Sequence, residues 1–272
     1  MTLPETPRFI DDHLLQIGTY GFHCEDPSRV LPPGRLPVLK PRDLVEDYIE
    51  TCRELQPARI VELGIHRGGS AALISELVGP EKLVAIELAE DRVALLDGYI
   101  EERGLGDVVR PFYGVDQSDR VRVAEIAQAE FSGKPIDLVT DDASHLYQES
   151  RSSFETLFPL VRPGGLFLLE NWRWQHRLAD VVSQANSSEQ LRLAIAKRLD
   201  DLASGEAENV VPMSLLVLEL ILARASSGEA VAEVTVGPHW AAIRRGPGPL
   251  DAATFRITDL FEDHFHLLGP AP

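Results

Sequence analysis

Between residues 41 and 55 the apolar positions Leu44, Val45, Tyr48, Ile49, Cys52 and Leu55 recur every three or four residues. That spacing predicts a helix with one buried face, and Pro41 suits its entry. The period then changes. Residues 59–63 form a short, nearly continuous apolar run, as in a strand covered on both faces. A helix is predicted over 70–78, stopped by Gly79-Pro80, and a strand over 82–87. A helix over 91–103 turns Val93, Leu96, Tyr99 and Ile100 inward and closes at Gly104. A strand over 108–115, a helix over 120–131 and a strand over 136–140 follow. A helix over 150–161 has Phe154, Leu157, Phe158 and Val161 inward, and a strand covers 165–170. Alternation of this kind builds an open parallel sheet with helices on both faces. Further on, helical patterns cover about 187–204 and 212–226. Two short strands, 231–236 and 240–244, flank the turn Gly237-Pro238-His239 and predict an antiparallel hairpin.

Outside this pattern the chain reads as irregular. Residues 1–40 carry four prolines between 27 and 37 and the cluster Thr19-Tyr20-Gly21-Phe22-His23. They are expected to form an arm or lid. Residues 41–272 are expected to form a single domain with a helical insertion at about 183–230. Five parallel strands closed by an antiparallel hairpin match the Rossmann-like α/β sheet of class I S-adenosylmethionine (SAM) methyltransferases. A nicotinamide-binding sheet, whose strands all run parallel, matches less well.

Charge narrows the partners. The chain has 272 residues, 26 basic and 43 acidic, for a net charge of −17. That argues against nucleic acid, whose binding needs Lys and Arg on phosphates, and against an anionic membrane surface. Lysine occurs only at positions 40, 82, 134 and 197, so Arg supplies the other 22 of 26 basic residues. With abundant Ala and Val, this is the composition of a high-GC bacterial genome. Cys24 and Cys52 make no disulfide framework. No apolar stretch is long enough to span a bilayer, and the first residues, without a basic stretch followed by an apolar run, are not expected to be a signal peptide. A cytoplasmic protein is expected.

The candidate cofactor loop is Glu62-Leu63-Gly64-Ile65-His66-Arg67-Gly68-Gly69-Ser70, between the first strand and its helix. Ligands of such sheets bind at this switch point. Gly64 permits close backbone approach. Gly68 and Gly69 are expected to keep the helix N-terminus open, where free N–H groups meet a carboxylate. Glu87 ends the second strand, placed to accept ribose hydroxyls. The nicotinamide template G-x-G-x-x-G fails at His66.

Two further segments carry a more specific resemblance: Asp116-Gln117-Ser118-Asp119, and Asp141-Asp142-Ala143-Ser144-His145 with Pro163-Gly164-Gly165 and Leu169-Glu170-Asn171-Trp172. Over about 58–176 the chain resembles bacterial metal-dependent O-methyltransferases of macrolide sugars and the related cephalosporin-hydroxylase-like group. The resemblance implies SAM as methyl donor, contacted by Glu62, Gly64, Gly68, Ser70, Glu87, Asp116, Gln117, Ser118 and Asp141. It implies Mg²⁺ held by Asp142, Glu170 and Asn171, with His145 and Asp142 catalytic and His145 the base. Asn171 departs from the sugar-methylating pattern, which has Asp there, and agrees with catechol-type enzymes. Hard oxygen ligands of this kind suit Mg²⁺, a metal-bound hydroxyl is more acidic, and a histidine can take its proton. The acceptor implied is a hydroxyl on a sugar, an oligosaccharide or a glycosylated small molecule. Relatives of this type imply a homo-oligomer.

Blander roles stand beside these. Asp141 or Asp142 would also serve as a helix cap. Trp172, Trp174 and His176 would line a sugar platform or anchor the next helix, and His66 would touch substrate or shape its loop. His264-Phe265-His266 reads as tail packing. A non-catalytic SAM-binding protein, with Asn171 marking decay, is opposed by intact Asp142, His145 and Glu170. An oxygenase would want a 2-His-1-carboxylate iron site, and this constellation has one His.

Overall fold

A computed structural model describes residues 6–25, 31–32, 34–177 and 211–262. The helical pattern at 187–204 and the His264–His266 group lie outside the described residues.

The central sheet has seven strands. Five are parallel: β5 (Arg59–Leu63), β6 (Lys82–Ile86), β7 (Val109–Phe112), β8 (Ile136–Asp141) and β9 (Val161–Glu170). The hairpin β10 (Val231–Val236) and β11 (Trp240–Arg245) adds two antiparallel strands. The order is β10-β11-β9-β8-β5-β6-β7, with β11 antiparallel to β9. The chain reverses direction at β5, which lies between β8 and β6. This is the switch point at which such sheets bind ligands.

Helices cover both faces. On one side α1 (Arg42–Leu55), α2 (Gly69–Val78) and α3 (Ala94–Arg103) bury Leu44, Val45, Tyr48, Ile74 and Leu96 against Ile60, Leu83 and Leu138. On the other, α4 (Arg120–Phe131), α5 (Tyr147–Leu157) and α6 (Met213–Ser226) bury Ile126, Phe154, Leu216 and Leu220 against Val61, Val84, Val139 and Phe167. Successive strand residues therefore feed opposite cores, which is why the strands read as unbroken apolar runs.

Several boundaries differ from the sequence pattern, among them the start of α5 at Tyr147 and the end of β7 at Phe112. The third helix of the sheet begins at Ala94, leaving Asp91 and Arg92 exposed before it. The fifth ends at Leu157. Pro159 then sits in a 3-10 turn, Phe158–Leu160, because it has no N–H to continue the α-helical ladder. Val161 consequently opens β9, which starts four residues earlier than the pattern predicts.

The larger difference is at the N-terminus. The segment expected to be irregular forms a four-stranded sheet: β1 (Arg8–Phe9), β2 (Leu14–Ile17), β3 (Tyr20–Cys24) and β4 (Arg35–Val38). Gly18, at φ +56°, makes the tight turn between β2 and β3. β4 then pairs parallel to β3. Leu15, Ile17, Phe22, Leu36 and Val38 join the core cluster of α1–α3. A Cβ on Gly69 would collide with the Pro37 carbonyl oxygen. The smallness of Gly69 thus lets β4 cross over the start of α2. Gly68 and Gly69 are both buried, so the expectation of an open helix N-terminus at these glycines is corrected.

Candidate active site

Parallel pairing puts Leu63 opposite Asp141 and Asp141 opposite Leu169, so the C-terminal ends of β5, β8 and β9 lie in one row. The residues just past those ends converge. Gly64 adopts φ +92°, and a Cβ there would overlap the backbone of Asp142 and Ala143. Glycine is required for the two loops to pass this closely.

A cavity of about 770 Å³ opens beside β5 and β6. Its lining includes Gly64, Glu87, Asp116, Gln117, Asp142 and Ser144. A second cavity of about 240 Å³ adjoins it, lined among others by Lys40, Ser70, His145 and Asn171. The two share Gly64, His66, Arg67, Asp142 and Ala143. One compartment thus opens onto another at Asp142.

Five of the residues expected to contact a cofactor line these cavities directly: Gly64, Glu87, Asp116 and Gln117 in the large one, with Gly64 and Ser70 in the small one. Glu87 also braces the loop. Its Oε2 accepts the N–H groups of Ile65 and His66, both at 2.9 Å. Burial works against its charge, but these backbone donors outweigh it and hold the carboxyl below its usual range. Asp116 Oδ1 accepts both the N–H and the hydroxyl of Ser118 at 2.7 Å, so Ser118 shapes the loop and is not part of either lining.

Asp141 is corrected from a direct contact to a support. It is 1% exposed and lines neither cavity. Its carboxylate accepts from Ser153 Oγ at 2.9 Å and from Gln117 Nε2 at 3.2 Å, while Gln117 Oε1 accepts the Ser144 N–H at 2.8 Å. This network pins the loop that presents Asp142. Gly68 serves packing in the same way, with φ +79° and a Cβ that would strike Leu96.

Glu62 is 2% exposed, and its Oε2 has no partner among the described residues. Burial pushes its carboxyl up to about 7, only partly opposed by a hydrogen bond from Ser70 and the nearby charge of Lys40. A buried carboxyl oxygen without a donor is an exception to the usual pairing of buried polar groups.

Asp142, His145, Glu170 and Asn171 meet as the sequence spacing suggests. His145 Nε2 lies 2.9 Å from Asp142 Oδ1, and Asn171 Nδ2 lies 2.8 Å from that oxygen and 3.2 Å from His145 Nε2. His145 and Asn171 both adopt φ +55°. Two non-glycine residues in the left-handed region, side by side, are strain of the kind functional sites retain. Burial works against a charged His145, but Asp142 more than offsets it, and the imidazole is more basic than usual.

A further group enters from the N-terminal sheet. Lys40, two residues past β4, is 4% exposed. Its Nζ donates to Asp142 Oδ2 at 2.7 Å and to Glu170 Oε1 and Oε2 at 2.9 and 2.7 Å. Tyr48, from α1, donates its hydroxyl to Glu170 Oε1. Burial disfavours the Lys40 charge, but the two carboxylates outweigh it and keep the ammonium protonated above its usual range. Asp142 is held well below the usual carboxylate range, since Lys40 and His145 overcome its burial, whereas burial and the charge of Asp142 raise Glu170. Neither Lys40 nor Tyr48 was legible as a site residue from motif spacing. The one available signal is the rarity of lysine in an arginine-rich chain.

The donor set as it stands does not fit Mg²⁺. Three of the four carboxylate oxygens of Asp142 and Glu170 already face one ammonium, and the fourth faces His145 and Asn171. Asn171 presents its amide nitrogen there, as it must beside a carboxylate that accepts only. Among the described residues no group of three or more His, Cys, Asp or Glu side chains is arranged to hold a metal ion.

Trp174 Nε1 donates to the His145 carbonyl at 2.9 Å, and Trp172 Nε1 to the Gly237 carbonyl at 3.1 Å. Both are anchors of the strand ends. His176 pairs with Ser214 of α6 at 2.7 Å.

Comparison with known proteins places this geometry. Residues 61–172 match a family model described as a methyltransferase domain. The demethylmacrocin O-methyltransferase of Streptomyces fradiae is 46% identical over 56 residues, 21% of this chain and 13% of that one. The 8-demethyl-8-(2-methoxy-alpha-L-rhamnosyl)-tetracenomycin-C 3'-O-methyltransferase of Streptomyces olivaceus is 32% identical over 129 residues, 47% of this chain. The matched segments span only 13% and 31% of those two curated relatives. Among solved structures, a MycE methyltransferase in complex with Mg and SAH shares the fold, with TM-score 0.50 and 18% identity over 86% of this chain and 55% of that one. Strand order, switch-point loop and model match agree: residues 61–172 match the methyltransferase-domain model, and they lie on an α/β sheet with the fold of that solved methyltransferase.

Proposed function

We propose that the chain is a SAM-dependent O-methyltransferase whose acceptor is a hydroxyl of a sugar, free or attached to a small molecule. The observation that carries this reading is the pair of adjoining cavities joined at Asp142, the larger at the switch-point loop and the smaller holding His145.

The large cavity suits the donor. Its volume lies within the range of small-molecule sites. The carboxylates of Glu87 and Asp116 line it. When bound, SAM supplies an electrophilic sulfonium methyl group. Glu62 then ionises beside a cationic ligand, and Glu87, with lone pairs beyond those given to Ile65 and His66, accepts from hydroxyls.

In the smaller cavity His145 is the group able to hold the acceptor proton. Asp142 orients the ring through Nε2 and stabilises its charged form, the arrangement by which a carboxylate supports an imidazole base. Nδ1 has no hydrogen-bond partner among the described residues and is the nitrogen left for the acceptor hydroxyl. Trp174, bonded to the His145 carbonyl, keeps the backbone in its left-handed turn. The work of the protein is positioning and charge complementarity.

A sugar acceptor is supported by the printed activity of the rhamnosyl-tetracenomycin relative. The net charge of −17 disfavours a phosphorylated acceptor and suits a neutral, hydroxyl-rich one. The test is methyl transfer from labelled SAM to a panel of free and glycosidic sugars. His145→Ala is expected to reduce turnover by about 10²–10⁴-fold, the usual contribution of a general base, while calorimetry shows SAM binding retained. Full turnover in that variant would remove His145 from the mechanism.

A further inference from the structure

The two strand-end carboxylates, Asp142 and Glu170, form the acidic pair expected to hold a divalent ion, and a lysine from outside the methyltransferase segment stands between them. Lys40 Nζ is within 2.7–2.9 Å of Asp142 Oδ2 and both oxygens of Glu170. It also lies 5.2 Å from the centroid of the Tyr48 ring. Glu170 is 1% exposed, so its charge has no access to bulk water and depends on Lys40 and the Tyr48 hydroxyl. A buried carboxylate left unpaired is strongly destabilising, and a partner is obligatory.

Two carboxylates face one ammonium, which leaves at most one negative charge uncompensated while His145 is neutral. A divalent ion among the same oxygens would sit at about 2.0–2.1 Å from each. It would lie against the Lys40 ammonium with no further anion to offset the added charge. The backbone that carries Lys40 is anchored just before it, where Pro37 packs on Gly69 and Val38 is buried. The choice of lysine is itself informative. An ammonium is a compact point charge with three donors, closer in shape to a metal ion than the planar guanidinium is. This chain uses Arg for nearly all its other cations.

We propose that Lys40 is the resident cation of this site: its ammonium takes the position between Asp142 and Glu170 that the sequence resemblance implies for Mg²⁺, so the site works without one. The proposal rests on the methyltransferase reading for what the site does, but not for the cation itself. Lys40 is a positioning residue. Its hydrogen bond holds Asp142 in place, and Asp142 in turn orients His145. The proton of the acceptor hydroxyl passes to His145 without help from a metal.

The test reads metal binding directly. Mn²⁺ is titrated into the full-length wild-type protein and followed by electron paramagnetic resonance, with and without S-adenosylhomocysteine. No bound Mn²⁺ is expected at submillimolar concentrations, and millimolar Mg²⁺ or EDTA is expected to leave the melting temperature unchanged. Lys40→Ala, which removes the ammonium and leaves both carboxylates, is expected to gain a Mn²⁺ signal and to be stabilised by Mn²⁺. Lys40→Met, which fills the space without charge, is expected to gain neither. Stoichiometric Mn²⁺ binding by the wild type would overturn the proposal, whether or not the variants fold. A folded Lys40→Ala that gains no Mn²⁺ site would overturn the equivalence of the two cations. Methyl transfer that survives EDTA supports the proposal, and transfer abolished by EDTA and restored by Mg²⁺ overturns it. Should the protein neither bind SAM nor transfer methyl groups, the methyltransferase reading fails, and the Mn²⁺ titration still decides the role of Lys40.

Discussion

At the scale of the residue, what distinguishes this site is how each carboxyl is supplied with partners. Asp141 has Ser153 and Gln117, Glu170 has Lys40 and Tyr48, and Glu87 has backbone N–H groups. Glu62 alone among them keeps a buried oxygen without a donor. Its folded-state value of about 7 lies above the ordinary 4.5. For an acid whose value is raised by folding, the folded state binds the extra proton. Stability therefore falls as pH rises from about 4.5 to 7, and the full penalty persists above that window. Glu62→Gln removes the penalty. Its stability is expected to match the wild type below about pH 4.5 and to exceed it above pH 7, by an amount on the order of 3 kcal/mol, read as a higher melting temperature. A difference that is constant with pH would contradict the raised value. The same variant is expected to bind SAM more weakly, since the amide offers no charge to a cationic ligand.

At the scale of the element, the small N-terminal sheet acts on the site through backbone packing. β4 crosses the start of α2, where Gly69 leaves room for the Pro37 carbonyl, and the chain then delivers Lys40 between β8 and β9. This explains why the loop has two successive glycines. Gly68 needs a left-handed backbone, whereas Gly69 needs only the absence of a side chain. Gly69→Ala is expected to push β4 outward and to destabilise by about 1–3 kcal/mol, the range for overpacking a tight contact. In a protein of this size that lowers the melting temperature by about 2–4 °C per kcal/mol. Limited proteolysis is expected to cut the N-terminal sheet of the variant first. Protection equal to the wild type would show that α2 and β4 are not closely apposed. The hairpin β10–β11 supports the site from the other edge: Trp240 pairs with Glu170 in register and packs edge-on against Tyr48 at 4.9 Å.

At the scale of the molecule, the acidic excess lies mainly outside the site. Within it, Asp142 and Glu170 are matched by Lys40 and His145, so little of the net charge of −17 is located there. The remainder repels itself across the surface. Salt weakens that repulsion, as the Debye length falls from about 30 Å at 0.01 M to about 8 Å at 0.15 M. The melting temperature is expected to rise over this interval. A fall would mean that surface pairs such as Arg42–Glu46 and Arg92–Asp97 outweigh the net repulsion. No helix among the described residues is long and apolar enough to cross a membrane.

Much of the central sheet was legible because buried parallel strands and their helices carry strong, distinct periods. The runs at 59–63 and 136–141 and the face Leu44-Val45-Tyr48-Cys52 could serve little else. The convergence of Asp142, His145, Glu170 and Asn171 was also legible, since β8 and β9 are neighbours in this topology and each motif ends a strand. The N-terminal sheet was not. Its strands are two to five residues long, one of them contains a proline, and β2, β3 and β4 are buried without alternation, so no period betrays them. Nor was Lys40 legible, because its partners lie 102 and 130 residues away. Local patterning determined which residues become strands, helices and strand-end acids. Which charge meets those acids was decided by the tertiary structure alone, because a buried ion pair is made by packing between distant segments.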